Sequence, residues 1–436
     1  MMNVIPGRVA AALILAAIAA PAPRGARAQQ IDTGPRVVAL GRLLDIVAAQ
    51  HPTILAAQAR TRATSSARQT AGQLGNPVLG YVVDNTPFPG GRPLQGIDRE
   101  AMTTITLPLE PLYQRGARRK QADALVSAST AESHATAQAV SLDATRAFYR
   151  VAQFQVRVEA NRDVVAWLDS VVAYNQARVR EGAVAEADLI RSQLERDRTR
   201  AEGASQAADL ARARAELAAF LGEAPSNGMS LRASAPNVLL AMPASPGTDT
   251  ERPDVRAARE RVRATNAAIG LERSMFLRQV GAMIGTKQTV GTTSMIAGLS
   301  LPLPLFDQNR GEVARATAER DAAVLDAEAS SRMAKSQVSG AMEAVRLLTE
   351  RASAMRAGAD TGYLARADQA RRIALGAYRE GAVPLLQVLD AARASNDARL
   401  AYFDLLFAQH LAVFDLLYAS GADLRSARTI DPATEK

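Results

Sequence analysis

The stretch Arg180-Glu181-Gly182-Ala183-Val184 returns as Arg379-Glu380-Gly381-Ala382-Val383, 199 positions later (180 to 379). Each copy lies between a long helix-forming run and a shorter one, and a glycine set into such a run breaks it into a hairpin tip. The duplication extends outward from the tips. His51-Pro52 through Arg62-Ala63-Thr64 answers to Arg252-Pro253 through Arg263-Ala264-Thr265, Leu107-Pro108-Leu109 to Leu301-Pro302-Leu303, and Arg115-Gly116 to Arg310-Gly311. Landmarks that recur in the same order at nearly the same offset mark an internal repeat. The chain divides into a first repeat at 29–222, a connector at 223–251 holding Pro225, Pro236, Pro243 and Pro246, a second repeat at 252–421, and a tail at 422–436.

Within each repeat the expected order is helix, strand, loop, strand, long helix, tip, return helix. In the first repeat a helical run from Val38 to about Leu74 ends at Gly75-Asn76-Pro77, with Pro52 at a start or kink. Alternating Leu79, Tyr81 and Val83 predict a strand over 78–84, and a second follows at 102–109. In the second repeat the strands fall at 280–286 and 294–301 around a short turn. Long helices are predicted at 113–180 and 311–378, and return helices at 186–221 and 384–420. The first long helix carries Val151, Val158, Val165, Val172 and Val179 at seven-residue spacing, with Phe154, Asn161, Leu168 and Asn175 on the matching d positions. A strict heptad of β-branched residues is a coiled-coil pattern, in which a buried Asn sets register. Some 68 residues at about 1.5 Å each make a rod of roughly 100 Å. A return helix spans half of its long neighbour, so a second piece must complete that rod. The length pattern predicts 252–276 above 186–221, and 38–74 above 384–420.

Composition agrees with a helical body. Of 436 residues 48% are hydrophobic and only 4% aromatic, as suits long helices packed through alanine. The net charge of +8 comes without a basic run or nucleic-acid motif, so arginines solvating helix faces account for it and no nucleic-acid partner is expected. Arg8, the apolar run Val9 to Ala20 and Ala26-Arg27-Ala28 form a secretory signal over 1–28. No later stretch reads as a transmembrane helix. There is no cysteine, which excludes disulfides, thiolate metal sites and a cysteine-linked lipid anchor.

These residues together resemble the TolC-like outer-membrane efflux proteins. The resemblance covers almost the whole mature chain and rests on the duplicated plan, Asn76-Pro77 before the first strand, the two Leu-Pro-Leu exits, and Gly-Ala-Val followed by Val388-Leu389-Asp390-Ala391. Asn76-Pro77 through Asp84-Asn85, with Leu109-Glu110 and Arg115-Gly116-Ala117-Arg118-Arg119, is most similar to the heavy-metal cation branch. The resemblance implies a mainly α fold with a small β part: a long coiled-coil α-helical barrel beneath a transmembrane β-barrel formed by oligomerisation, four strands per chain and twelve in a homotrimer. Independently, four strands cannot close a barrel, and an open sheet edge cannot face lipid.

The implied function is a passive exit duct in the bacterial outer membrane, extending into the periplasm, fed by an inner-membrane efflux pump through a periplasmic adaptor. Arg180, Glu181, Gly182, Ala183 and Val184 with Arg379, Glu380, Gly381, Ala382 and Val383 are the expected adaptor-binding tips. Asp390 and Asp188 are the expected carboxylates of the periplasmic gate; at Gln387 the family's other acidic position is lost. No enzyme activity, cofactor or resident metal is expected. His51, His134 and His410 have no ligand spacing, His410 lies on the heptad line Leu389, Asn396, Phe403, His410, Leu417, and Trp167 reads as packing. The rival reading, a soluble periplasmic coiled-coil adaptor, explains the helices but leaves both strand pairs without a role.

Overall fold

A valine at every a position keeps the middle of the first long helix against its neighbours. In the computed structural model this helix, α3, runs unbroken over Glu110–Arg180, 71 residues or roughly 105 Å. Residues 36–86, 96, 98–222, 231–233, 239–241, 252–356 and 362–425 are described; the signal segment, much of the loop after residue 86, most of the connector and the end of the tail lie outside them. Before α3 come β1 (Arg36–Val38), α1 (Leu40–Gln50), α2 (Pro52–Ala71), β2 (Val78–Asp84) and β3 (Glu100–Pro108). After it come α4 (Glu186–Leu221), β4 (Leu231–Ala233), α5 (Pro253–Ser274), β5 (Gly281–Thr289), β6 (Thr292–Ser300), α6 (Arg310–Arg356), α7 (Tyr363–Arg379) and α8 (Leu385–Ala419).

Three expectations are corrected. The helix predicted over 38–74 is two helices, because His51 is extended (φ −65°, ψ 125°) and Pro52 opens α2, where its missing N–H is no loss. The helix predicted over 311–378 is also two. Gly362 is extended (φ −65°, ψ 166°) ahead of α7, and two glycines in Gly358-Ala359-Asp360-Thr361-Gly362 each weaken a helix by about 1 kcal/mol relative to alanine. Third, α8 is long and apolar enough to cross a membrane (mean hydropathy 1.4), although no such helix was expected. Its Leu406, Phe407, Val413, Phe414 and Leu417 are buried against other helices, so its apolar surface serves the core.

The stacking of half-length rods is also the reverse of the expectation. Ion pairs mark the neighbours of α3. In its first half Arg68 of α2 meets Asp123, and Arg261 of α5 meets Glu132. In its second half Arg150 meets Glu216 of α4 at 2.6 Å, and Arg157 meets Asp404 of α8 at 2.8 Å. At the joint, His51 before α2 stacks on Phe220 at the end of α4, ring centroids 5.6 Å apart. Arg252 before α5 lies 5.4 Å over the ring of Tyr418 at the end of α8. Each return helix is therefore continued by the strand-entering helix of its own repeat, α4 by α2 and α8 by α5. Length alone demanded a second piece without saying which of two equal candidates supplied it.

The main core sits at this joint. Leu43, Leu44 and Val47 of α1 pack on Phe148, Tyr149 and Val151 of α3, Leu217 of α4 and Phe414 of α8. His410 is buried there, with its Nδ1 3.2 Å from the Tyr149 hydroxyl, a packing role as expected. β1 and β4 pair in parallel, Val37 opposite Arg232, and the Ala233 N–H donates to Gln155 Oε1 of α3 at 2.8 Å.

The other four strands form one antiparallel sheet ordered β2-β3-β5-β6. Residues opposite one another point to one face. One face carries the rows Leu107–Ala282–Leu299, Leu79–Ile105–Ile284–Ala297 and Tyr81–Thr103–Thr286–Met295. Its Leu79, Tyr81, Ile284, Met295 and Leu299 are all at least half exposed. The opposite face is mixed: Val78, Val82 and Met102 lie there with Thr104, Thr106 and Ser294, and with Lys287 paired to Glu100.

Candidate functional site: the helical tips and their carboxylates

Both tips are built alike. α3 ends in a Schellman turn: Gly182 stands at φ +70°, its N–H donates to Val179 O at 3.0 Å, and the Ala183 N–H donates to Arg178 O at 2.9 Å. The second tip repeats this with Gly381 at φ +80°, Gly381 N–H to Tyr378 O at 3.0 Å and Ala382 N–H to Ala377 O at 2.8 Å. A Cβ at either glycine would meet open space, so the left-handed backbone, and no crowding, requires glycine there. Arg180, Glu181, Gly182, Ala183, Arg379, Glu380, Gly381 and Ala382 are exposed; Val184 and Val383 are half-buried. Pro384, expected in the first helical turn, is instead the extended N-cap of α8.

A second core holds the tips together. Leu168 and Val171 of α3 pack on Ala374 and Tyr378 of α7 and on Leu385, Val388 and Leu389 of α8, with Trp167 half-buried beside them. Asn175, a d residue, is fully buried, and its Oδ1 accepts from the Tyr378 hydroxyl at 2.6 Å while its Nδ2 finds no partner. Burial first, and then the nearby Asp188 carboxylate, push the Tyr378 hydroxyl above its ordinary pKa. The other d-layer asparagine, Asn161, donates from Nδ2 to Thr199 O of α4 at 3.1 Å. Gly203 on α4 lets it approach, because a Cβ there would run into the Asn161 amide.

The expected gate residues do not form one cluster in the single chain. Asp188 is part-buried beside Tyr378, with Arg191 at 4.0 Å. Asp390 is exposed and lies 3.4 Å from Arg393, whose guanidinium also clasps Glu195 of α4. Gln387 is exposed. Arg393 and Glu195 wall a cavity of 210 Å³ between α3, α4 and α8, lined also by Asn161, Trp167, Glu202 and Asn396. The Arg393 hydrogen bonds, winning over burial, hold Glu195 below the ordinary carboxylate range. Sequence reasoning missed this pair. Spacing puts Glu195 one heptad beyond Asp188 and Arg393 three residues past Asp390, but nothing along either helix says that the two face each other.

The repeated hairpins, the stacked rods and the open four-stranded sheet set the frame for the comparisons. A sequence profile described as Outer membrane efflux protein matches residues 248–422, the second repeat. The cobalt-zinc-cadmium resistance protein CzcC of Cupriavidus metallidurans is 26% identical over 414 residues, covering 89% of this chain and 94% of the relative. The second repeat matches the outer membrane efflux protein family, and the chain is similar to CzcC along nearly its whole length. It is an outer-membrane efflux channel, placed in the outer membrane and the periplasm. Outer membrane protein OprJ of Pseudomonas aeruginosa is 31% identical over 201 residues, 43% of this chain and 41% of OprJ. The fold matches the CmeC outer membrane channel of Campylobacter jejuni with a TM-score of 0.76, at 14% identity and over 91% of this chain and 89% of that one. As in the sequence reading, the chain is mainly α with a small β part. The soluble-adaptor reading has no support from these matches.

Proposed function

We propose that the channel is the passive exit duct of a tripartite efflux system, assembled as a homotrimer with one shared twelve-stranded barrel. The observation that carries this is the four-stranded sheet, with one face more apolar than the other and, among the described residues, two unpaired edges, β2 and β6. An unpaired strand edge in hydrocarbon leaves backbone groups without partners, and four strands are about half of the smallest membrane barrel. Joining β6 of one copy to β2 of the next satisfies both edges. The helices below favour the same closure. α2 and α4 lie on one flank of α3, and α6 with α7 lies beyond α5 and α8, so among the described residues both flanks end on helices with no further helix packed outside them. Those helices expose Ile190 and Leu194 on α4, Leu325 and Met333 on α6, and Ile373 on α7, a supply of apolar surface for a neighbouring copy.

No bond is made or broken in this duct. The tips 180–184 and 379–383 face a periplasmic adaptor and an inner-membrane pump, which supplies the energy. Asp390, Asp188 and the polar Gln387 line the periplasmic mouth, where carboxylates repeated about a threefold axis attract cations. The cargo class is divalent heavy-metal cations, supported by the near full-length similarity to CzcC and by the nickel-cobalt-cadmium resistance protein NccC of Alcaligenes xylosoxydans xylosoxydans, 28% identical over 325 residues. The test is reconstitution of the detergent-purified mature chain into planar bilayers. Stable unitary conductance from a species of three chains is expected, and a species of one chain that never conducts refutes the reading.

A further inference from the structure

The segment Arg115-Gly116-Ala117-Arg118-Arg119-Lys120, whose cations the sequence reading counts among those solvating helix faces, has no part in the duct as described so far. It lies in the opening turns of α3, just below the sheet, and Arg310-Gly311 opens α6 at the equivalent place in the second repeat. Arg310 is the first residue of its helix, where the helix dipole disfavours a cation, so helix stability does not explain it. Arg115, Arg119, Lys120, Arg273 and Arg310 are all exposed, and none has an ion-pair partner among the described residues. Most carboxylates at this level are already engaged. Glu272 and Asp307 accept from Asn309, and Glu312 holds Arg315.

Directly above the cations the chain is apolar and open. The alternation of the sheet's exposed apolar face continues from Leu299 through Leu301 and Leu303, which are 70%, 52% and 72% exposed. Leu305 and Phe306 follow, the latter fully exposed, with Leu112, Tyr113 and Phe276 at the same level in the neighbouring segments. An apolar band ending in aromatic residues and then in long cations is the profile of a membrane–water interface.

We propose that this level is a collar that binds anionic diacyl phospholipid in the periplasmic leaflet, its cations holding headgroup phosphates while the Leu-Pro-Leu-Pro-Leu-Phe segment lies against the acyl chains. The occupant follows from charge complementarity and from continuity with the sheet face that the outer membrane covers. The proposal rests on the outer-membrane reading and goes beyond it by naming a lipid class.

The test is native mass spectrometry of the full-length channel released from nanodiscs of phosphatidylcholine alone or with one-fifth phosphatidylglycerol. The channel is expected to retain phosphatidylglycerol over phosphatidylcholine, with the preference fading between 50 and 500 mM NaCl. Each cation near an anionic surface contributes about fivefold, so R115Q/R119Q/K120Q/R310Q loses at least tenfold of the preference. R356Q/R372Q, the same kind of charge loss far down the helices, loses none. Equal retention of both lipids, a preference untouched by the four substitutions, or displacement by inorganic phosphate at the same phosphate concentration overturns the proposal; the last result marks a free-anion site. Should the fourfold variant not fold, the salt dependence of the unaltered channel decides. Conductance in neutral-lipid bilayers separates the two readings: a channel that conducts without lipid preference overturns only the collar.

Discussion

Changing Tyr378 to Phe removes one hydroxyl from the core that joins the two tips. That hydroxyl donates to Asn175 Oδ1 at 2.6 Å, with Asn175 fully buried and Tyr378 only 5% exposed. Asn175 already leaves Nδ2 unpaired, so the substitution strands the whole amide inside an apolar cluster of Leu168, Leu385 and Val388. Stranding a buried polar group costs about 1–3 kcal/mol. That translates into local opening that is roughly 5- to 150-fold more frequent. The assay is amide hydrogen exchange across 168–178 and 374–389 in the assembled channel, and Y378F is expected to lose protection there and keep it around Phe148 and Phe414. Replacing both partners removes the penalty, because an apolar pair of similar shape is nearly neutral. N175L/Y378F should therefore recover most of the protection, a coupling that independent sites would not show. Unchanged exchange in Y378F, or a double variant as labile as the sum of the single ones, would refute the reasoning.

The other predictions follow from single contacts. Glu195 is held below its ordinary pKa by Arg393, so its contribution is present above the unfolded value and is lost as pH falls through the lowered folded value. Protection of α4 around Glu195 should therefore decline on acidification in the unaltered channel, and E195Q should lack that pH dependence. G203V drives a side chain into the Asn161 amide and should lower thermal stability by about 1–3 kcal/mol, in part restored by N161A. I284K puts a charge on the apolar face of the sheet at a cost of about 2–4 kcal/mol near the bilayer midplane, whereas S294K on the opposite face should insert normally in a vesicle-folding assay. A bulky residue at Gly381, whose Cβ would project into open space, should abolish export while leaving the assembly in the membrane. Export that survives intact removes the docking role from that tip.

Much of the fold was legible because the chain states its plan twice. Gly182 and Gly381 fix the hairpin tips, the valine heptads fix the face of α3, and alternation at Leu79, Tyr81 and Val83 fixes β2. What escaped was non-local. Nothing in Arg36-Val37-Val38 announces a partner at 231–233, because a parallel pair depends on a contact nearly two hundred residues away. The coaxial order of the rods was hidden for the same reason: α2 and α5 hold equivalent places in the two repeats, and contacts distant in sequence, such as His51 on Phe220 and Arg252 on Tyr418, distinguish them. At the tips the sequence reading expects Asp390 and Asp188 to be charges of a periplasmic gate. The partner that clasps Arg393 sits on another helix, and pairing across helices is decided by packing, which no spacing rule along one helix encodes.

The central claim is that the open edges of the sheet are closed by sister copies. The chain has no cysteine, so disulfide trapping has no background. Single cysteines placed along β2 and along β6 in one chain, oxidised in intact outer membranes, test the closure directly. The account predicts that one register of pairs gives covalent dimers and trimers and that shifted registers do not. Chains that remain uncrosslinked at every register, in a membrane where the protein is present and folded, would contradict it.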